Sequence, residues 1–157
     1  LLVFLSKQYL FGKGAVLINV MNIAESKCKT GFLPGISLGV LCNILVCLAV
    51  WLCYSAKTVT GKILSILFPI TAFVACGFEH CIANMYFVPL GMLIKVFGGD
   101  EVNKIIGSAG ANYDSLNMQD FVMNNLIPDT IGNVIGGAVL VGMVYWFVFL
   151  RKQRVRS

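Results

Sequence analysis

The sequence predicts an all-α membrane protein, here one part of a helical bundle that contains a broken helix. Three observations lead there. Hydrophobic residues make up 58% of the 157 residues and charged ones 12%, with a mean hydropathy of +0.85. The twelve cations all fall outside the long apolar stretches rather than within them. One of those stretches is too long for a single span and carries a glycine, a carboxyl and an imidazole at its centre. A soluble domain holds roughly 25% charged residues to cover its surface, so lipid must cover much of this one.

The opening Leu-Leu-Val-Phe-Leu is too short to span a bilayer or to serve as a signal peptide. It reads as the tail of a helix, and residues 1–157 as the C-terminal portion of one integral membrane domain in a longer protein. The first full span covers 32–54, where Phe32 to Tyr54 holds no ionised residue over 23 positions, against about 20 needed to cross. Gly35 and Gly39 form a small-xxx-small pair that lets a second helix approach. Trp51 and Tyr54 stand at its end, where interfacial aromatics are expected.

The second stretch covers 63–94. As one helix its 32 residues would run about 48 Å, against a hydrocarbon core of roughly 30 Å. Its centre reads Cys76-Gly77-Phe78-Glu79-His80-Cys81, with Pro69 and Pro89 on either side. Two half-helices broken near 77–80 account for the length, and a kinked, tilted helix with a satisfied polar pair is the alternative. Irregular backbone inside a membrane survives only where protein or a polar cavity satisfies it, and broken helices of this kind mark transporter binding sites. The last span covers 126–150. Pro128 suits a first helical turn and Asp129 a helix N-terminus. Gly132 and Gly136 make a second glycine pair backed by Gly137, and Tyr145 and Trp146 form the exit belt.

Orientation follows from the cations. Lys57 and Lys62 lie in the short loop 55–62, and Arg151, Lys152, Arg154 and Arg156 follow the last span. The positive-inside rule places both segments in the cytoplasm, which requires the broken stretch to cross once. The protein is then a multi-pass cell-membrane protein with a cytoplasmic C-terminus. The external connection 95–125 carries more acids than bases, and Met118, Phe121 and Val122 predict a short surface helix capped by Asp114 or Ser115. Lys7, Lys13, Lys27 and Lys29 fall outside with only Glu25 to offset them. They form either a solvated loop or a cationic funnel for anions.

His80 is the single histidine. Ionisable groups inside a membrane mark substrate or proton pathways, and an imidazole exchanges protons near neutral pH. It can donate a hydrogen bond or a proton to an arriving anion. A proton passed to a small carboxylate spares the cost of a bare charge in an apolar constriction. Glu79 beside it reads as a structural group, bonded to backbone or to another helix. Asn43, mid-span in the preceding helix, either orients His80 or makes a packing hydrogen bond. No nucleophile–base pair, phosphate loop or paired catalytic carboxylates occur, so the sequence predicts no enzyme. The six cysteines contain no CxxC, which argues against a metal site or a disulfide framework. No cofactor and no nucleic-acid partner are expected.

The stretch Gly77-Phe78-Glu79-His80-Cys81-Ile82-Ala83-Asn84-Met85 resembles the signature of the formate/nitrite transporter family. So do Cys42-Asn43-Ile44-Leu45-Val46-Cys47-Leu48-Ala49-Val50-Trp51 upstream, and Asn125-Leu126-Ile127-Pro128 with Thr130-Ile131-Gly132-Asn133 downstream. The resemblance runs from about Lys27 to Leu150. It implies an aquaporin-like inverted-repeat helical bundle of six spans with broken second and fifth helices, assembled as a homopentamer. It implies that this chain is the C-terminal half and lacks the first half with its pore-lining threonine. It also implies that His80 is the central pore histidine with Asn43 as partner, Lys27 the vestibule lysine, and Phe73 part of an apolar constriction. The implied substrate is a small anion, formate first, with nitrite and hydrosulfide as alternatives in the same family. A non-transporting membrane anchor subunit is the alternative outside it.

Overall fold

The computed structural model describes residues 1–151 and contains no strand among them. In chain order the helices are α1 (Leu2–Leu5), a 3-10 turn (Gln8–Leu10), α2 (Ala15–Cys28), α3 (Phe32–Ser55), α4 (Val59–Ala75), α5 (Cys81–Phe97), α6 (Gly99–Ser108) and α7 (Met118–Leu150). Lys152, Arg154 and Arg156, read above as cytoplasmic cations, lie outside the described residues. By length and composition α3 and α7 are each able to cross a membrane. α5 and α6 pass the same test only as a pair bent by 105°, and α4 is a shorter apolar helix. The chain divides into two compact units.

One unit holds Leu1–Phe32 and Ile82–Ile127. Its core starts from a stripe on α2, where Leu17, Met21, Ala24 and Cys28 recur at helical spacing and are all buried. They pack with Val88, Leu90 and Ile94 of α5, Val102 of α6, Tyr113, Leu116 and Phe121. Gly91 permits the close approach of α2, because an added Cβ would stand 2.5 Å from Ala24 Cβ. α6 was not anticipated in the connection 95–125. It buries only Val102, while Ile105 and Ile106 are partly covered, so its apolar residues are too few to stand out from a polar loop in the sequence.

The helix expected near Met118 is present, but two of its features differ. Its cap is Asn117, whose Oδ1 accepts from the Asp120 amide at 2.9 Å, rather than Asp114 or Ser115. It is also not a separate surface helix: it runs on as α7, so the last helix starts at Met118 instead of 126. Pro128 therefore lies inside a continuous helix. Its missing N–H and its ring disturb the turn before it, and the wide π-type turns at Val122–Leu126 sit there. Similar wide turns recur at Ile135–Gly142 and Trp146–Leu150.

The second unit holds Leu33–Cys81 and the chain from Pro128 onward. Here α3 packs on α7 through both glycine pairs. A Cβ on Gly39 would stand 2.8 Å from the Asp129 carbonyl oxygen and 3.2 Å from Gly132 Cα, and one on Gly35 would be 2.8 Å from Asp129 Oδ1. On the other side, a Cβ on Gly132 or Gly136 would collide with the carbonyl oxygens of Ile36 and Val40. Backbone thus meets backbone, as small residues allow within membranes. At the far ends of the same two helices Trp51 packs edge-on against Tyr145 and Phe149, at 5.7 and 5.9 Å between ring centres. The C-terminal ends of α3 and α7 are therefore neighbours. α4 opens at Thr58, whose Oγ1 accepts from the Gly61 amide at 3.0 Å.

Because the obstruction at Gly132 is backbone rather than a flexible side chain, Gly132→Val is expected to cost about 1–3 kcal/mol. The check is detergent-denaturation of the membrane protein with Gly107→Ala as control, since a Cβ at Gly107 meets nothing within 4 Å. Equal losses in the two variants would refute the close α3–α7 contact.

Candidate functional site

The site is the interruption between α4 and α5. α4 ends in a tight hydrogen-bonded cap in which the Gly77 amide donates to Val74 O at 3.1 Å and the Phe78 amide to Phe73 O at 3.0 Å. That pair of bonds requires a positive φ at the residue after the cap, and Gly77 supplies it at +68°. The chain then runs unwound to His80 and resumes as a helix at Cys81.

The unwinding frees a carbonyl within the break and the first amide of α5, and a single side chain binds both. Asn133 of α7 donates from Nδ2 to Glu79 O at 3.0 Å and to Gly39 O at 3.0 Å. Its Oδ1 accepts from the Cys81 amide at 3.1 Å. Asn133 is buried, and three of the four bonds its amide can form are made to backbone. A primary amide suits the task because it presents a donor and an acceptor side by side.

Asn43 supports the same residue from α3. Its Nδ2 donates to the Asn133 carbonyl oxygen at 2.6 Å. Gly137 makes room, since a Cβ there would stand 2.7 Å from that nitrogen. Of the two readings the sequence left open for Asn43, the hydrogen bond between helices is the one seen here, with Asn133 as its partner. The reason is the glycine packing of α3 on α7, which sets the Asn43 face of α3 against α7.

The contact recorded for His80 is Phe73. The two rings stack with centres 5.9 Å apart and planes 30° from parallel. Both are partly buried, while Glu79, just before His80 in the unwound segment, is 4% exposed. Phe73, Glu79 and His80 are therefore brought together around the interruption. Lys27 belongs to the other unit, in the last turn of α2, next to buried Cys28 and near Lys29, which pairs with Glu25 at 2.9 Å. Among the described residues no group of three His, Cys, Asp or Glu side chains is placed to hold a metal ion, and all six cysteines are free thiols.

Sequence reasoning assigned no role to Asn133. The available signal was an amide within the apolar run 126–150, four residues past a buried carboxyl at Asp129. Its partners are backbone atoms, which no residue pattern advertises.

Comparison with known proteins gives a consistent picture. The model of a family described as formate/nitrite transporter matches residues 1–147. The formate channel FocA of Escherichia coli strain K12 is 43% identical over 153 residues, which cover 98% of this chain and 54% of that protein. Formate-nitrite transporter 3 of Toxoplasma gondii is 37% identical over 128 residues, covering 82% of this chain and 22% of its own length. Among solved structures, a pentameric formate channel with formate bound superposes with a TM-score of 0.85 at 43% identity, over 95% of this chain and 58% of the other. The chain spans about half the length of the FocA proteins it matches.

Removing the amide that bridges the break leaves buried backbone groups unpaired, each at about 1–3 kcal/mol. Asn133→Asp keeps an acceptor for the Cys81 amide but loses both donors and faces two carbonyl oxygens, so it is expected to be at least as damaging as Asn133→Ala. Thermal stability of the detergent-solubilised protein reads this out. An Asn133→Ala variant as stable as the parent would show that the break does not depend on this side chain.

Proposed function

The chain belongs to the formate/nitrite transporter family, and on that premise we propose that it is the pore-histidine half of a channel protomer for small monovalent anions, with formate as the principal substrate. The observation that carries the reading is a histidine held beside Phe73 on unwound backbone, where Asn133 takes up the carbonyl of Glu79 and the amide of Cys81 on either side of it. An anion at this point meets an imidazole and an aromatic face, while the Glu79 carbonyl and the Cys81 amide are already engaged. His80 is the hydrogen-bond donor to the anion, Phe73 narrows the path, and Glu79 and Asn43 belong to its supporting wall. When the imidazole is protonated, its proton passes to formate, which moves on as neutral formic acid, and the imidazole is recharged from water. Lys27 stands at the external mouth and raises the local anion concentration.

In this reading α4 and α5 together cross the membrane once. Each has 17 residues, about 25 Å at 1.5 Å per residue, which is short of a full crossing by itself. The loop 55–62 and the C-terminus then share the cytoplasmic face. The packing of Trp51 on Tyr145 supports this, because it puts the ends of α3 and α7 side by side. The protomer functions within a homopentamer, like the solved formate channel, and in a chain of the relatives' length. Nitrite and hydrosulfide share the chemistry of a small anion with a weak conjugate acid, and competition assays separate them.

Formate uptake into proteoliposomes as a function of external pH tests the role of His80. Asparagine keeps a hydrogen-bond donor but does not titrate, so His80→Asn should flatten the pH dependence while the assembly stays intact by size exclusion. A variant with the parental pH profile would remove the proton step from the mechanism.

Topology is checked separately by impermeant thiol labelling of single cysteines placed in the loop 55–62 and near Arg151. Both should label only from the cytoplasmic face. Labelling from opposite faces would defeat the single crossing.

A further inference from the structure

Nothing in α2 itself fixes where Lys27 stands. The helix begins at Gly14 without a side-chain cap; Leu17 and Met21 seat it in the core, and the half that carries Lys27 is tied down further by polar contacts. Three polar ties meet there. Tyr113 donates from its hydroxyl to Asn22 Oδ1 at 3.0 Å. Lys95, near the end of α5, donates from Nζ to the carbonyl oxygens of Tyr113 at 2.7 Å and Leu116 at 3.1 Å. The Asn117 backbone lies close enough to the thiol of Cys28, the residue after Lys27, to favour its ionised form. Tyr113, Leu116 and Cys28 are all buried. An ammonium group is suited to gather two carbonyls from one turn, since it offers three donors and charge-assisted bonds are the stronger kind.

We propose that Lys95 is a positioning residue for anion entry: its ammonium clamps the turn Tyr113–Leu116, the clamped turn holds α2 through Asn22 and Cys28, and α2 thereby presents Lys27 at the mouth. Lys95 touches no substrate in this arrangement. The inference rests on the assignment of Lys27 to the mouth given above, but the clamp has a readout that does not depend on transport. The Cys28 thiol is pushed up to about 11, first by burial, with Asp120 and Glu25 adding to it and the Asn117 backbone and Lys95 opposing. Loss of the Lys95 charge alone would therefore raise it further and slow its reaction. Faster reaction on losing Lys95 can come only from exposure of the thiol.

The experiment compares Lys95→Met, Lys95→Arg and Tyr113→Phe, each also combined with Lys27→Gln, in proteoliposomes whose assembly is verified by size exclusion. Maleimide modification of Cys28 is followed by peptide mass spectrometry, and uptake of labelled formate is measured at low ionic strength. Lys95→Met should speed Cys28 modification by about tenfold or more and raise the apparent KM about threefold, with the maximal rate within about twofold of the parent. Lys95→Arg should restore both. Tyr113→Phe, which loses only the bond to Asn22, should give a smaller change of the same sign. In the Lys27→Gln background Lys95→Met should add nothing to KM. Unchanged Cys28 modification in Lys95→Met overturns the clamp. Increments in KM that add fully to those of Lys27→Gln overturn the positioning role. If Lys27→Gln alone leaves KM unchanged, the assignment of Lys27 to the mouth fails and the role in anion entry fails with it, while Cys28 still decides whether the clamp exists.

Discussion

A polypeptide in an apolar medium cannot leave its backbone polar groups unpaired, and this chain unwinds in the middle of its longest apolar stretch, residues 63–94. Everything around the interruption answers to that constraint. The Gly77 turn recaptures the amides of Gly77 and Phe78, and Asn133 recaptures the Glu79 carbonyl and the Cys81 amide. With these four groups paired by other atoms, the imidazole of His80 is not needed to satisfy them and stacks on Phe73 instead.

That arrangement works only if α7 lies close enough to α3 and to the break for one short side chain to reach both. The glycines provide the distance. Gly39 offers its carbonyl to Asn133 at 3.0 Å, and Gly132, one residue before Asn133, has no side chain to hold α3 away. Asn43 then fastens the Asn133 carbonyl from the α3 side. Packing and polar satisfaction are thus one device: bulk at either glycine pair would move Asn133 out of reach of the atoms it must serve.

The fold class was legible because it depends on quantities a sequence states openly: the scarcity of charge, the length of apolar runs, and glycines spaced by four. Family membership was legible in the residues around His80 and Asn133. Other features were hidden for a common reason. α6 carries too few apolar residues to declare a periodicity, and Met118–Leu126 reads as a separate polar-flanked helix because nothing in composition shows that a helix continues through Pro128. The roles of Asn133 and Lys95 were hidden because both act on carbonyls and amides, which every residue possesses. A pattern of side chains points to partners that are side chains. Asn43 was left between the histidine and a bond to another helix for the same reason, since its partner is a carbonyl oxygen.

Gly77 has one further consequence. A Cβ added there would meet nothing within 4 Å, so no neighbour demands a small residue. What excludes other L-amino acids is the sign of its φ, at a cost of roughly 1–2 kcal/mol for a left-handed helical conformation. The position therefore selects by chirality and not by volume. A D-alanine introduced by chemical ligation would satisfy the turn as well as glycine does, and by narrowing the unfolded ensemble it would hold the end of α4 more firmly than the native residue.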